Sequence, residues 1–263
     1  MNIMEFVKKR RSVRTFDGKG ISASDYQKLC DYVKNIENPY GIPVEFLLVD
    51  AKEQGLFSPV IDGEQYYIIG KVPMVLHSEE AFGYSFEKMV LYAQSLGLGT
   101  TWMAGTLDRQ IFEKAAALHD DEIMYCVSPV GYAATDMSAK EQKMRTAIHA
   151  DERKAEAELF FANSFETPLV ETDEKIKEAL EAVRLGPSAV NYQPWRIVKV
   201  DNAFHFYEAH TKSLQERASW DVQKIDMGIA LCHFMSVAGG NCSLAEPDIV
   251  CPEGTEYIAT VTV

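Results

Sequence analysis

The sequence repeats itself at a spacing of 151 residues. Residues 43–50 (PVEFLLVD) and 194–201 (PWRIVKVD) each open on a proline, run through apolar residues and close on an aspartate. Pro194 follows Pro43, and Asp201 follows Asp50, by the same 151 positions. The surroundings recur too. Residues 176–183 match 26–33 as a helix ahead of that strand, and 203–207 match a second strand expected at 72–77. Residues 225–237 form a long apolar helix ending at Gly239 and Gly240, as 79–96 does ahead of Gly97 and Gly99. In the latter, Phe82, Phe86, Met89, Val90, Ala93 and Leu96 fall near helical spacing. The last strand, 257–263, matches one expected at 123–131. A diverged duplication of helix, strand, strand, long helix and strand leaves few architectures. The expectation is α+β, two half-domains that each pack helices on a mostly antiparallel sheet. The halves are expected at 1–163 and 164–263. Together they would form an internal pseudo-dimer, which makes a monomer sufficient.

The balance of residue types excludes several functions. Among 263 residues, 47% are hydrophobic and 25% charged, an ordinary globular mix. The net charge of −13 disfavours nucleic acid and anionic membrane surfaces, which recruit clustered Lys and Arg. No apolar run is long enough to span a bilayer, and the basic cluster at 8–14 follows the first apolar residues instead of preceding them, unlike a signal peptide. The five cysteines lack metal-like spacing, and their odd number suits a reducing compartment, so the cytoplasm is expected. The six histidines are scattered, and no metal is expected.

Two stretches stand out chemically, one in each half. Arg10, Arg11, Ser12 and Arg14 form the densest basic spot of an acidic chain. Guanidinium forks around a hydroxyl suit a phosphate and an adjoining polyol; a solvated charge run is the plainer reading. In the second half, Pro187, Ser188, Asn191 and Gln193 follow a helix at 171–183 and precede a strand at 197–200. Gly186 and Pro187 stop that helix. The loop offers neutral donors and acceptors to the edge of a flat heterocycle, although turns use the same residues for local reasons. The first half has no counterpart of this loop, and the second has no counterpart of the arginines. Each half thus holds one part of a site, and a two-fold arrangement would complete one site and ruin the other. Residues 97–105 add a Gly-rich turn after a helix, where backbone can approach a ligand closely.

With these residues in hand, the chain resembles the nitroreductase-like flavoprotein family. The family motif R-R-S-x-R-x-F stands here as Arg10, Arg11, Ser12, Arg14 and Phe16. P-S-x-x-N-x-Q-P-W stands as Pro187, Ser188, Asn191, Gln193, Pro194 and Trp195, and G-x-G-T as Gly97 to Thr100. The branch it is most similar to is the putative TM nitroreductases, with two diverged halves in one chain. The resemblance implies bound FMN. Arg10, Arg11, Ser12 and Arg14 would hold its phosphate and ribityl chain. Pro187, Ser188, Ala189 and Asn191 would line the isoalloxazine, and Ala104 and Gly105 would bring backbone to the ring. Arg153 and Lys154 would match the family's second basic pair. The implied activity uses NADH or NADPH to reduce a small acceptor such as a nitroaromatic or quinone in two half-reactions, with no dedicated acid or base. Gln193 is expected to orient its loop, and bulky Trp102 and Met103 to narrow access. Rival readings are a flavin carrier or sensor without turnover, a domain that kept the fold and lost the cofactor, and reductive dehalogenation or flavin fragmentation on the same scaffold.

Overall fold

The computed structural model describes residues 3–215 and 219–263. Contacts divide the chain into two compact units. One, here the N-terminal unit, comprises Lys9–Ser78 and Ser85–Ala150; the C-terminal unit comprises Met1–Lys8, Glu79–Tyr84 and Asp151–Val263.

The sheet of the N-terminal unit contains β1 (Glu45–Asp50), β2 (Tyr66–Pro73), β3 (Gly99–Thr100), β4 (Glu122–Ile123) and β5 (Val127–Gly131), ordered β1-β2-β5-β3 with β4 also on β2. All these pairs are antiparallel. Strand β2 lies six residues earlier than the expected 72–77. Its run from Tyr66 pairs in full register with β1, Asp50 opposite Tyr66 and Glu45 opposite Lys71. β2 ends at Pro73, and Met74, Val75 and Leu76 beyond it are exposed. The connection from β1 to β2 includes a helical turn, Ala51–Gln54. The expected strand at 123–131 is two strands. Between them the Arg109 guanidinium donates to the carbonyls of Met124 and Tyr125, groups that a continuous ladder would otherwise use. A helix, Arg109–Ala115, is capped by Asp108. The helix Ala139–Ala147 lies in what reads as a charged connection. Val13, Phe16, Ile61, Tyr67, Ile69, Met103, Phe112 and Val127 meet in one buried cluster.

The C-terminal unit has its own sheet: β6 (Phe160–Ala162), β7 (Trp195–Val200), β8 (Ala203–Ala209), β9 (Asn241–Ser243) and β10 (Thr255–Thr262), ordered β6-β7-β8-β10-β9. Only β6–β7 among the described pairs is parallel. The helix Glu174–Leu185 starts at the Asp173 cap, and the helix Val222–Ala238 at the Asp221 cap. The latter is mostly apolar and buried over most of its length, as a central helix is.

The two sheets share their connectivity. In one, β1 pairs with β2 and β2 with β5, the long helix Ser78–Ser95 lying between β2 and β5 in sequence. In the other, β7 pairs with β8 and β8 with β10, with Val222–Ala238 in the same place. The 151-residue recurrence is therefore a recurrence of topology, with β8 matching β2 at 66–73. Within the C-terminal unit, residues 79–84 cross the helix Val222–Ala238 backbone to backbone. A Cβ on Gly83 would lie 2.0 Å from the Ile225 carbonyl oxygen, and one on Gly228 2.1 Å from that of Glu80. No described helix is long and apolar enough to cross a membrane.

Candidate functional site

The residues singled out in the sequence fall into two groups, one in each unit. In the N-terminal unit, residues 12–16 run extended between other segments. Val13 N–H donates to Thr100 O (2.9 Å), Asp62 N–H to Arg14 O (2.9 Å), and Phe16 N–H to Asp62 O (2.8 Å). Close approach explains the nearby glycines: a Cβ on Gly99 would lie 2.7 Å from a Val13 methyl. Phe16 plugs into the core. This anchoring fixes where the neighbouring guanidiniums stand.

Arg11 differs from its neighbours. Its Nη1 donates to Glu141 Oε1 at 2.5 Å. The fully buried Glu141 carboxylate also accepts from Arg14 N–H (3.0 Å) and Thr15 Oγ1 (2.9 Å). Arg10 and Arg14 have no such partner for their buried donors: Nε of Arg10, and Nε and Nη1 of Arg14, are buried without a protein acceptor. Arg14 is only 9% exposed. Burial lowers the pKa of both guanidiniums, Glu87 opposing this at Arg10 and Glu141 at Arg14, and the charge of Arg145 lowers both further. Arginine stays charged even so. The charge of Arg145 therefore bears on both Arg10 and Arg14, whose buried donors no protein group accepts. A phosphate is the type of group that such a set accommodates.

Arg145 and Glu141 lie outside the expected motifs, on the polar helix Ala139–Ala147. The signal was present: Ser138 and Glu141 stand as a capping pair, with Ser138 Oγ accepting from Glu141 N–H (3.3 Å). Ala104 and Gly105 follow Met103, which pairs with Val127 through both backbone groups (3.0 and 2.9 Å). Ala104 is half-buried and Gly105 exposed. Met103 turns into the core, so it cannot narrow a site as expected. Trp102 packs on Phe86 and donates from Nε1 to Glu87 (3.0 Å).

In the C-terminal unit, the loop after Leu185 is held in a conformation that it would not choose alone. Val190, Asn191 and Gln193 have φ of 51°, 59° and 52°, a region costly for a β-branched valine. Several bonds hold it there. Ser188 Oγ accepts from Gln193 N–H (2.9 Å), and buried Gln193 accepts from Lys154 N–H (2.9 Å) while donating to Asn191 O (3.1 Å). Gln193 thus orients the loop, as its sequence position suggested. Asn191 donates to Glu152 O (3.0 Å), and Arg153 Nη1 reaches Asn191 Oδ1 (3.4 Å). So Arg153, Lys154 and Asn191 meet, and Pro187 and Ser188 sit half-buried beside them. Burial first, then the charge of Arg196, lowers the Lys154 pKa, with Glu158 opposing. Ala189 N–H donates to both carboxylate oxygens of Asp226 (3.0 and 3.1 Å). Asp226 was not foreseen, although an acid among the apolar residues of a buried helix is itself unusual. Burial raises its pKa well above the ordinary carboxylate range; the Ala189 bond lowers it and Asp221 raises it.

The sequence profile of the family described as putative TM nitroreductase matches residues 2–238. No curated protein matches the chain. Among solved structures, a putative nitroreductase from Thermotoga maritima MSB8 aligns with a TM-score of 0.63 at 19% identity, over 100% of this chain and 94% of that one. A nitroreductase family protein from Clostridium novyi NT is similar at 17% identity over 54% of this chain and 91% of its own, with a TM-score of 0.44. A nitroreductase with bound FMN from Bacteroides fragilis NCTC 9343 is similar at 20% identity over 52% and 91%, with a TM-score of 0.43. The profile spans residues of both units and the Thermotoga fold matches from end to end: the chain belongs to the putative TM nitroreductase family and has the nitroreductase-like fold.

Proposed function

We propose that this protein is an FMN-dependent NAD(P)H oxidoreductase that reduces a small acceptor such as a nitroaromatic or a quinone. The observation that carries the reading is the arginine cluster of the N-terminal unit, where buried Arg10 and Arg14 nitrogens lack a protein acceptor and Arg145 adds its charge. Membership of a nitroreductase family supports the redox class. Bound FMN would supply the hydride chemistry, with the protein providing position and electrostatics.

The residues have distinct roles in this reading. Arg10, Arg14 and Arg145 hold the phosphate, and Ser12 adds a hydroxyl for the phosphate or ribityl chain. Arg11 contributes through Glu141, whose carboxylate fixes the Arg14 backbone. Ala104 and Gly105 offer backbone to the flavin ring. Pro187, Ser188, Ala189 and Asn191 line the isoalloxazine, with Gln193 and Asp226 fixing the loop that carries them. Arg153 and Lys154 stand behind Asn191 and Gln193, and we assign them the family's second basic pair. One FMN per chain follows from motifs that are divided, not duplicated.

The test is an absorption spectrum of the purified protein after FMN is offered and excess removed, followed by anaerobic NADH or NADPH. The reading expects an oxidised-flavin spectrum at about one FMN per chain, the stoichiometry of a single preformed site. Reduced nicotinamide should bleach it, and a quinone should restore it. A flavin spectrum that neither nicotinamide bleaches would leave a carrier or sensor and end the enzyme reading. No flavin on a folded protein would end both.

A further inference from the structure

A second cluster lies in the C-terminal unit, where β8 ends beside the start of β10. Glu208 and Glu256 stand directly opposite each other across these antiparallel strands. Like charges in that relation repel, and Glu208 is fully buried with neither carboxylate oxygen hydrogen-bonded. A buried carboxylate needs a counter-charge or a proton. Lys224 supplies only part of the counter-charge, because its direct ion pair is with the other carboxylate, at Glu256 Oε1 (2.8 Å). His210 comes next after β8, its N–H bonded to Gly254 O (2.8 Å) in the turn that leads into β10. Its Nε2 lies 3.6 Å from Glu208 Oε1 and 3.3 Å from Glu256 Oε2. The three donor atoms all lie within 4.8 Å of one another.

We propose that Glu208, His210 and Glu256 form a binding site for one divalent transition-metal ion, with Zn²⁺ as the reference. Four ligands at bonds of about 2.0–2.1 Å around tetrahedral zinc are about 3.3 Å apart, and the two edges through His210 are already near that length. Two carboxylates and an imidazole, with one position left for water, make a donor set that zinc accepts. The imidazole disfavours Mg²⁺ and Ca²⁺, which prefer oxygen alone. The local field agrees: the charges of Asp221, Glu256 and Asp226 all act against an anionic Glu208, with Lys224 as the opposing cation. No spacing rule finds this set in the sequence, because Glu208 and His210 need Glu256 from the neighbouring strand.

A proton is the rival occupant, since burial and the neighbouring acids push the Glu208 carboxyl up to about 9. The full-length protein, stripped with a chelator, would be titrated with Co²⁺ and then Zn²⁺, following the visible ligand-field bands of cobalt and the heat of binding. The proposal expects one ion per chain, displacement of Co²⁺ by Zn²⁺, and no displacement by excess Mg²⁺. Glu208→Gln and His210→Ala should each weaken Zn²⁺ by at least the roughly 10- to 100-fold seen when a ligand's supporting partner is lost. They should also abolish any Zn²⁺-dependent rise in thermal stability. Glu208→Gln imitates the protonated carboxyl, so it should fold wherever the metal-free protein folds, and circular dichroism would check this. A folded wild type that binds no ion would overturn the proposal and leave the proton. So would binding that both variants preserve, or cobalt bands of thiolate type, which would put the ion on cysteines. None of these readouts depends on flavin.

Discussion

Arg10 and Arg14 bury guanidinium nitrogens that no protein group accepts, while Arg11, beside Arg10 in the chain, is satisfied by Glu141. Sequence could mark all three as one basic cluster but could not divide their labour. That division depends on Glu141, and Glu141 on a helix whose polar residues hid it. The same limit applies to Asp226, whose partner Ala189 lies 37 residues away. Asp226 also carries a pH prediction. Its carboxyl pKa is raised in the folded state above the unfolded value of about 3.9. Between those values the folded state binds more protons than the unfolded one, so stability is lost as pH rises through the window. Asn at this position can still accept from Ala189 N–H but cannot ionise. Urea midpoints measured across pH should therefore fall less steeply for Asp226→Asn than for the wild type, with the variant the more stable at the alkaline end. A steeper fall in the variant would show that the carboxylate is stabilised where it sits.

Among elements, residues 79–84 and the helix Val222–Ala238 cross with their backbones in close contact. The atoms that a Cβ would meet at Gly83 and Gly228 belong to backbone, which cannot rotate away. Gly228→Ala should cost at least the upper end of the usual overpacking range, about 3 kcal/mol. Gly20→Ala, where the nearest atom is a Tyr66 side-chain carbon at 3.9 Å, should cost far less. Urea unfolding of the two variants checks this, and equal losses would mean that the helices separate easily. The helix Ser78–Ser95 was legible from its periodicity, Val222–Ala238 from its place in the recurrence, and strands β1 and β7 from their apolar runs. Strand β2 was placed too late because 72–77 is as apolar as 66–73, and only pairing with β1 distinguishes them. The parallel strand β6 and the edge strand β9 are three residues each, too short for any period to declare itself.

For the molecule as a whole, the recurrence at 151 residues and the shared connectivity β1-β2-β5 and β7-β8-β10 describe one architecture used twice. The chemistry is not used twice, since the arginines lie in one unit and the strained loop in the other. The central proposal is that Arg10, Arg14 and Arg145 hold a flavin phosphate. Its most direct test compares the affinity of FMN with that of riboflavin, which has the same ring and no phosphate, in the wild type and in Arg14→Gln. A hydrogen bond to a charged group contributes about 1.5–3 kcal/mol, or roughly 10- to 100-fold in affinity. FMN should therefore outbind riboflavin in the wild type by at least that factor, and Arg14→Gln should lose most of the preference while binding riboflavin as before. Equal affinities for FMN and riboflavin in the wild type, or a preference that survives Arg14→Gln intact, would contradict the claim.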